Sequence, residues 1–259
     1  LGEKNMIGLI VGTSEAKNIL KGLNEFTEDI FVSTATAYGA ELLKNYKYKV
    51  LNENPLSLNG LTEVIKKHNI KILIDASHPY ALEITKNAIE SCKSCGIQYI
   101  RYERPKAAEE YKGNKNVIMV EDYDSLCPYL EKIEGTILNT TGSRNIDKII
   151  NFKLKNRIIH RVLPSVKVLE EILSQGIKTE DVVAMKGPVG YELNCGFIKE
   201  YDAKAIIMKD SGVQGGTEDK IKAAIDNNIP AFIIGRKEVE YSEVFCSELE
   251  LIEYIRNII

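Results

Sequence analysis

Apolar and polar positions along the chain alternate between short β-branched runs and helical periods from one end to the other. Residues 6–11 (MIGLIV) form an apolar run of strand length. Ala16, Ile19, Leu20 and Leu23 then recur at i, i+3, i+4 and i+7, the spacing of one helix face. The same alternation predicts strands over 29–34, 48–51, 71–75 and 97–101, with helices over 39–43, 58–68 and 79–95. Pro79 suits the first turn of the last of these helices. A charged, aperiodic stretch at 105–116 breaks the rhythm. Strands are then predicted over 117–120, 136–140, 157–163, 182–185, 205–208 and 231–234, with helical stretches such as that of Ile221, Ala224 and Ile225 between most of them.

Strand–helix alternation of this kind means parallel sheets covered by helices on both faces. The expected fold is α/β, with two Rossmann-like domains, mainly parallel sheets and an interdomain cleft. The expected division is an N-terminal domain over 6–104, a linker over 105–116 and a C-terminal domain over 117–259. No internal sequence repeat is visible.

The 259 residues suffice for two ordinary domains, and 44% hydrophobic with 27% charged residues is a globular composition. A formal net charge of −3 and a pI near 5.8 argue against a general nucleic-acid binder, so an anionic ligand must meet local clusters of Lys and Arg. No apolar run approaches the roughly 18 residues of a membrane span. The first apolar run also lacks the plan of a signal peptide, so the expected location is cytoplasmic, with Met6 a candidate natural start and residues 1–5 a candidate extension. Five cysteines, an odd number, argue against a disulfide framework. Cys92-x-x-Cys95 falls late in a predicted helix with no second pair at zinc spacing, so no metal site is expected. Oligomeric state is not readable from the pattern.

Open α/β sheets bind ligands beyond the carboxyl ends of their strands, and the unusual residues of this chain collect there. Gly12-Thr13-Ser14-Glu15-Ala16 joins the first strand to the first helix, where unpaired N–H groups and the helix dipole can receive a phosphate. The full G-x-G-x-x-G fingerprint is absent, so a plain strand–helix turn is an equal reading of this motif alone. The end of the second strand, where NAD-binding folds carry an acid for the ribose, has Ser33, Thr34 and Thr36 instead, which favours NADPH over NADH. Asp75-Ala76-Ser77-His78-Pro79-Tyr80 places His78 at the rim of the expected cleft and Tyr80 where it can pack against a ring. Arg101 and Arg104 carry forks suited to phosphate or carboxylate, although a surface ion pair with Glu103 competes with that reading. Thr141-Gly142-Ser143-Arg144 is a second strand–glycine–helix turn, a candidate anion or nicotinamide contact. Lys209-Asp210-Ser211-Gly212, with Gly215-Gly216, is the most glycine-rich loop, and Lys209 and Asp210 could bring charge and a transferable proton.

Taken together and in order, these loops resemble those of precorrin-6A reductases. The resemblance is carried also by Arg161-Val162-Leu163-Pro164, by Lys186-Gly187-Pro188 with Glu192 and Asn194, and by the run from Ser33 to Gly39. It covers nearly the whole chain, from Met6 to about Arg236. Val11 departs from it, since many members have glycine there. The resemblance implies NADPH-dependent reduction of precorrin-6A, or its cobalt complex, to the dihydro product precorrin-6B in cobalamin biosynthesis. It implies that Gly12, Thr13, Ser14, Glu15, Ala16, Ser33, Thr34, Asp75, His78, Thr141, Gly142 and Ser143 hold the cofactor. Arg101, Arg104, Arg144, Arg161 and Lys186, with the loop of Ser211, Gly212, Gly215 and Gly216, would hold the carboxylate arms of a large flat macrocycle. Lys209 and Asp210 are the first candidates for catalysis, with His78 and Tyr80 second. Two other readings stay open at this level: a non-catalytic NADPH-sensing Rossmann protein and a two-domain nucleotide-sugar glycosyltransferase.

Overall fold

Strands β1 (Met6–Val11), β2 (Ile30–Thr34), β3 (Val50–Asn52), β4 (Ile70–Ala76) and β5 (Gln98–Tyr102) alternate with helices α1 (Ala16–Leu23), α2 (Ala37–Glu41), α3 (Leu58–Lys67) and α4 (Leu82–Cys95). The alternation resumes with β6 (Val117–Val120), α5 (Cys127–Leu130), β7 (Thr136–Asn139), α6 (Ile146–Asn151), β8 (Ile158–Val162) and α7 (Val166–Ser174). It continues through β9 (Val182–Ala184), α8 (Tyr191–Glu200), β10 (Ala203–Lys209), α9 (Thr217–Asp226) and β11 (Ala231–Ile234), and the chain closes with β12 (Val244–Phe245) and α10 (Glu248–Ile258). The structure, a computed structural model, describes residues 6–259, leaving aside the side chains of Ala37 and Tyr38. The expected extension at residues 1–5 therefore lies outside the described residues.

Two compact units result, one of described residues 6–104 with 238–259 and the other of residues 105–237. In the first, six parallel strands run in the order β12-β5-β4-β1-β2-β3. Successive side chains of a strand point to opposite faces, and the core divides accordingly. Leu9, Ile72, Ile74 and Ile100 meet Ile19, Leu20 and Leu23 of α1 and Leu251 and Ile255 of α10. Ile10, Phe31, Leu73 and Tyr99 meet Leu61 and Ile65 of α3 and Ala88 and Cys92 of α4. With both faces covered, the strands read as unbroken apolar runs, and all residues of β2 are buried.

The second unit repeats this plan. Its six strands, also parallel, run β6-β11-β10-β7-β8-β9. Counted from β1 in one sheet and from β7 in the other, both follow the 3-2-1-4-5 order of dinucleotide-binding sheets, with β12 and β6 in the sixth place. The switch point of each sheet lies between the strand counted first and the strand counted fourth: β1 and β4 in one unit, β7 and β10 in the other. No sequence repeat marks this correspondence.

Three boundaries differ from those expected. β12 and α10 belong to the first unit, where Arg101 N–H donates to the Glu243 carbonyl and Glu103 N–H to the Phe245 carbonyl, both at 2.9 Å. The 105–116 segment, read as a linker, is part of the second unit, with Ala107 and Ala108 buried and a 3₁₀ turn at Ala108–Tyr111. Finally, α4 starts at Leu82 rather than at Pro79, because the Ala81 N–H closes a turn on the His78 carbonyl at 2.7 Å. Among the described residues no helix is long and apolar enough to cross a membrane.

Candidate functional site

At the first switch point the loops after β1 and β4 touch. Gly12 N–H donates to the Ala76 carbonyl at 3.2 Å, and Thr13 Oγ1 donates to the same oxygen at 3.3 Å. A Cβ on Gly12 would lie 2.8 Å from His78 N and 2.9 Å from Ser77 Cα. Glycine is required here by the crossing of two protein loops, a different reason from the phosphate approach expected of it. The crossing brings Gly12 beside His78, and Gly12, Thr13 and Ser14 stay at least partly exposed. Ser57 and Ser247 cap α3 and α10 through their hydroxyls, whereas no side chain caps α1. First-turn N–H groups of α1 thus lack a side-chain acceptor, a fit for the pyrophosphate of a nicotinamide dinucleotide.

Glu15, Ala16 and Arg104 do not extend this surface, contrary to expectation. Ala16 is fully buried in the core beneath β1, and Glu15 and Arg104 form a buried ion pair. Ser14 Oγ donates to Glu15 Oε2 at 2.7 Å and accepts from Arg104 Nη2 at 3.0 Å. Burial alone would raise the Glu15 carboxyl, but the bonds from Arg104 and Ser14 outweigh it and hold it below the usual range. An acid at the start of α1 is thereby neutralised from within the unit.

Arg101 and Asp75 are likewise internal. Asp75 accepts Ser77 N–H at 2.9 Å, Thr85 Oγ1 at 2.8 Å and Tyr99 OH at 2.9 Å, and pairs with Arg101 Nη1 at 2.9 Å. Arg101 Nε reaches Glu103 at 2.8 Å, and Arg101 and Asp75 are 1% and 0% exposed. Arg101 and Asp75, predicted to contact substrate and cofactor, instead hold the β4 loop that carries His78. His78 Nδ1 accepts the Tyr80 N–H at 3.3 Å, so the neutral ring carries its proton on Nε2. The two rings stand 5.8 Å apart and are both half-buried. Ser33 and Thr34 are buried, with Ser33 Oγ accepting from Asn52 Nδ2 at 3.0 Å. The exposed end of β2 is instead Ala35 and Thr36, with no acid between them.

The second switch point has a different character. Thr141 is buried and donates from both N–H (3.1 Å) and Oγ1 (2.8 Å) to Asn139 Oδ1. Asn139 Nδ2 lies 3.0 Å from His160 Nδ1, and burial lowers the His160 pKa to about 4, so the imidazole is a neutral acceptor. This chain of contacts sets the loop that presents Gly142, Ser143 and exposed Arg144.

Asp210 anchors backbone from two loops. It is 2% exposed and accepts N–H groups from Ala107, Ala108 and Gly212, each at 3.1 Å, with Arg236 Nη2 3.7 Å away. The glycine-rich loop is closed on itself: Ser211 N–H bonds Thr217 Oγ1 and Gly212 N–H bonds Asp210, while Gly215 N–H bonds the Gly212 carbonyl and Gly216 N–H the Val213 carbonyl. Gly212 and Gly216 adopt φ of 76° and 69°, which favours glycine at both. These N–H groups are engaged within the loop.

What remains at this edge is positive. Lys209, half-buried, holds its ammonium 5.9 Å from the centre of the Tyr123 ring, and burial followed by Arg144 lowers its pKa to about 8. Arg161 donates from Nη1 to Asn194 Oδ1 at 3.1 Å, and burial lowers it to about 10. Lys186 is exposed on the loop after β9. Lys220 of α9, absent from the sequence expectations, is 4% exposed and faces Arg161, Lys209 and Asp210. Asn139, His160 and Tyr123 were also missed, whereas Asn194 was named only as part of the resemblance. The signal for Lys220 was its place three residues after Thr217 and four before Ala224, on the stripe of α9 that packs inward.

Cys92 is buried in α4, where burial, then Cys95 and Asp75, push its thiol up to about 12, so it is a poor nucleophile and ligand. Among the described residues no three His, Cys, Asp or Glu side chains gather as a metal site.

Compared with known proteins, the sequence matches the family described as precorrin-6x reductase CbiJ/CobK over residues 6–256. The chain belongs to the precorrin-6x reductase family. As such it is an oxidoreductase of the precorrin-6A reductase type, at work in cobalamin biosynthesis. The cobalt-precorrin-6A reductase of Methanocaldococcus jannaschii is 37% identical over 253 residues, covering 96% of this chain and 98% of that one. That of Priestia megaterium is 30% identical over 256 residues, covering 97% and 98%. Among solved structures, a CobK precorrin-6A reductase matches with a TM-score of 0.78 at 16% identity, covering 98% of this chain and 97% of that one, a likeness of fold. In this reductase the sequence-derived candidates sort into two groups: Gly12, Thr13, Ser14 and His78 at one switch point, and Lys209, Arg144 and Arg161 at the other. Arg101, Arg104 and Asp75 brace loops of the first unit, and Asp210 braces loops of the second.

Proposed function

We propose that this reductase uses NADPH to convert cobalt-precorrin-6A to its dihydro product, with each switch point serving one of the two ligands. Gly12, Thr13, Ser14 and the start of α1 take the pyrophosphate, and His78, an Nε2–H donor, orients the cofactor beside them. The acid-free end of β2 at Ala35 and Thr36 tolerates a 2′-phosphate, which supports NADPH over NADH. Bound NADPH supplies the hydride.

The observation that carries this reading is the charge difference between the two switch points. At the first, buried Asp75 and Glu15 are balanced by Arg101 and Arg104. At the second, Lys220 faces Arg161 and Lys209, with Asp210 as the nearby acid. An excess of cations suits a polycarboxylate macrocycle, which Arg144 and Lys186 would meet at the exposed rim. Hydride addition to a ring carbon leaves an electron pair that must take a proton. Lys209, with its pKa lowered to about 8, is an ammonium acid suited to near-neutral pH and the candidate donor. The relatives at 37% and 30% identity both bear the cobalt-precorrin-6A name, which supports the cobalt form as substrate. The chain is proposed to act in the cytoplasm.

An anaerobic assay of NADPH absorbance, with cobalt-loaded and metal-free precorrin-6A side by side, tests the proposal. Oxidation that depends on the macrocycle, faster with the cobalt form and with NADPH than with NADH, is expected. No oxidation with either macrocycle would overturn it.

A further inference from the structure

Lys220 has a burial that the fold alone does not explain. Charged side chains are almost never fully buried unless paired, yet Lys220 is 4% exposed and the charged groups nearest it are mostly of its own sign. The groups that face it are Arg161 from β8, Lys209 from the end of β10 and Asp210 just beyond. Asp210 is shared, because its carboxylate already accepts three backbone N–H groups and faces Arg236. The 3₁₀ turn at Ala108–Tyr111 and α8 also pack against α9. Their titratable contacts, Tyr111 with Glu218 and Tyr191 with Asp226, are paired within themselves. Lys220 thus faces two cations, at the carboxyl ends of β8 and β10, and one carboxylate that is already engaged by backbone N–H groups.

We propose that Lys220, with Arg161 and Lys209, forms a buried subsite for one carboxylate arm of the macrocycle, and that filling it takes up a proton from solvent. This rests on the reading of the second switch point as the substrate side. Without a ligand, burial and then Arg161 hold Lys220 down at about 7, so at pH 8 it is mainly the neutral amine. An entering carboxylate brings negative charge beside Arg161 and Lys209, the amine binds a proton, and an ammonium–carboxylate pair replaces the neutral buried amine.

The test uses the whole protein with NADP+ bound, so that no reduction occurs, and titrates cobalt-precorrin-6A anaerobically at pH 8 by calorimetry. Two buffers of different ionisation enthalpy report the protons taken up. Lys220→Met is expected to weaken macrocycle binding about ten- to a hundredfold. It should also remove close to one proton from the uptake. NADPH affinity should be unchanged, and the thermal midpoint should rise, because the cost of burying an amine that is protonated in the unfolded chain has gone. Lys220→Arg, charged at all working pH, should bind within a few-fold of wild type but without that proton. Unchanged macrocycle affinity and uptake in Lys220→Met would overturn the subsite alone. A loss that falls on NADPH instead would overturn it in favour of a phosphate site. Failure of the wild type to bind the macrocycle at all would remove the substrate reading together with the subsite.

Discussion

The two sheets share a strand order but treat buried charge in opposite ways. In the first unit every buried carboxylate at the switch point has a guanidinium: Asp75 has Arg101, and Glu15 has Arg104. In the second, the buried acid Asp210 is held mainly by backbone N–H groups, and lysines and arginine accumulate around it. The same topology can therefore present a neutral, backbone-lined edge or a cationic one. Internal pairing decides which, and the number of Lys and Arg in the loops does not: Arg101 and Arg104 looked as available in the sequence as Arg161 and Lys209.

The largest expected effect breaks the pairing of the first unit. Arg101→Met leaves Asp75 buried without its cation, and a loss of about 3–5 kcal/mol is expected in urea unfolding. Arg236→Met in the second unit should cost much less, because three N–H groups still hold Asp210. Equal losses would erase the contrast.

Acid should sharpen it. His160 is buried with its pKa lowered from 6.5 to about 4, so the unfolded chain binds a proton that the folded unit refuses. Its stabilising contribution is complete above pH 6.5 and is lost as pH falls toward about 4, by roughly 3 kcal/mol. Acid unfolding followed by a probe in the second unit should show this slope, and His160→Gln should flatten it.

A smaller effect is expected from Gly12→Ala. The added Cβ meets backbone of Ser77 and His78, so the loops must part, at a cost of about 1–3 kcal/mol. NADPH affinity should fall about tenfold or more while macrocycle binding holds.

Runs such as MIGLIV and AIIM made most strands legible, because strands buried on both faces are apolar throughout. β12 escaped notice because a two-residue strand has no period, and nothing in the apolar stripe of α10 says which sheet it covers. The loops at the strand ends were also legible as a set. The roles within them were not, because a charged residue shows its type in the sequence but not its partner. Arg104 meets Glu15 across 89 positions, and Asp210 meets Ala107 across 103. Lys220 was hidden by a different cause: on a helix, a lysine reads as solvated unless its register against Thr217, Ile221 and Ala224 is followed.

The division of labour between the two switch points is tested most directly by measuring both dissociation constants of Lys209→Met, for NADPH and for cobalt-precorrin-6A. NADPH affinity within twofold of wild type, with macrocycle affinity about tenfold or more weaker, is the expected result. Weaker NADPH binding with the macrocycle unaffected would contradict it.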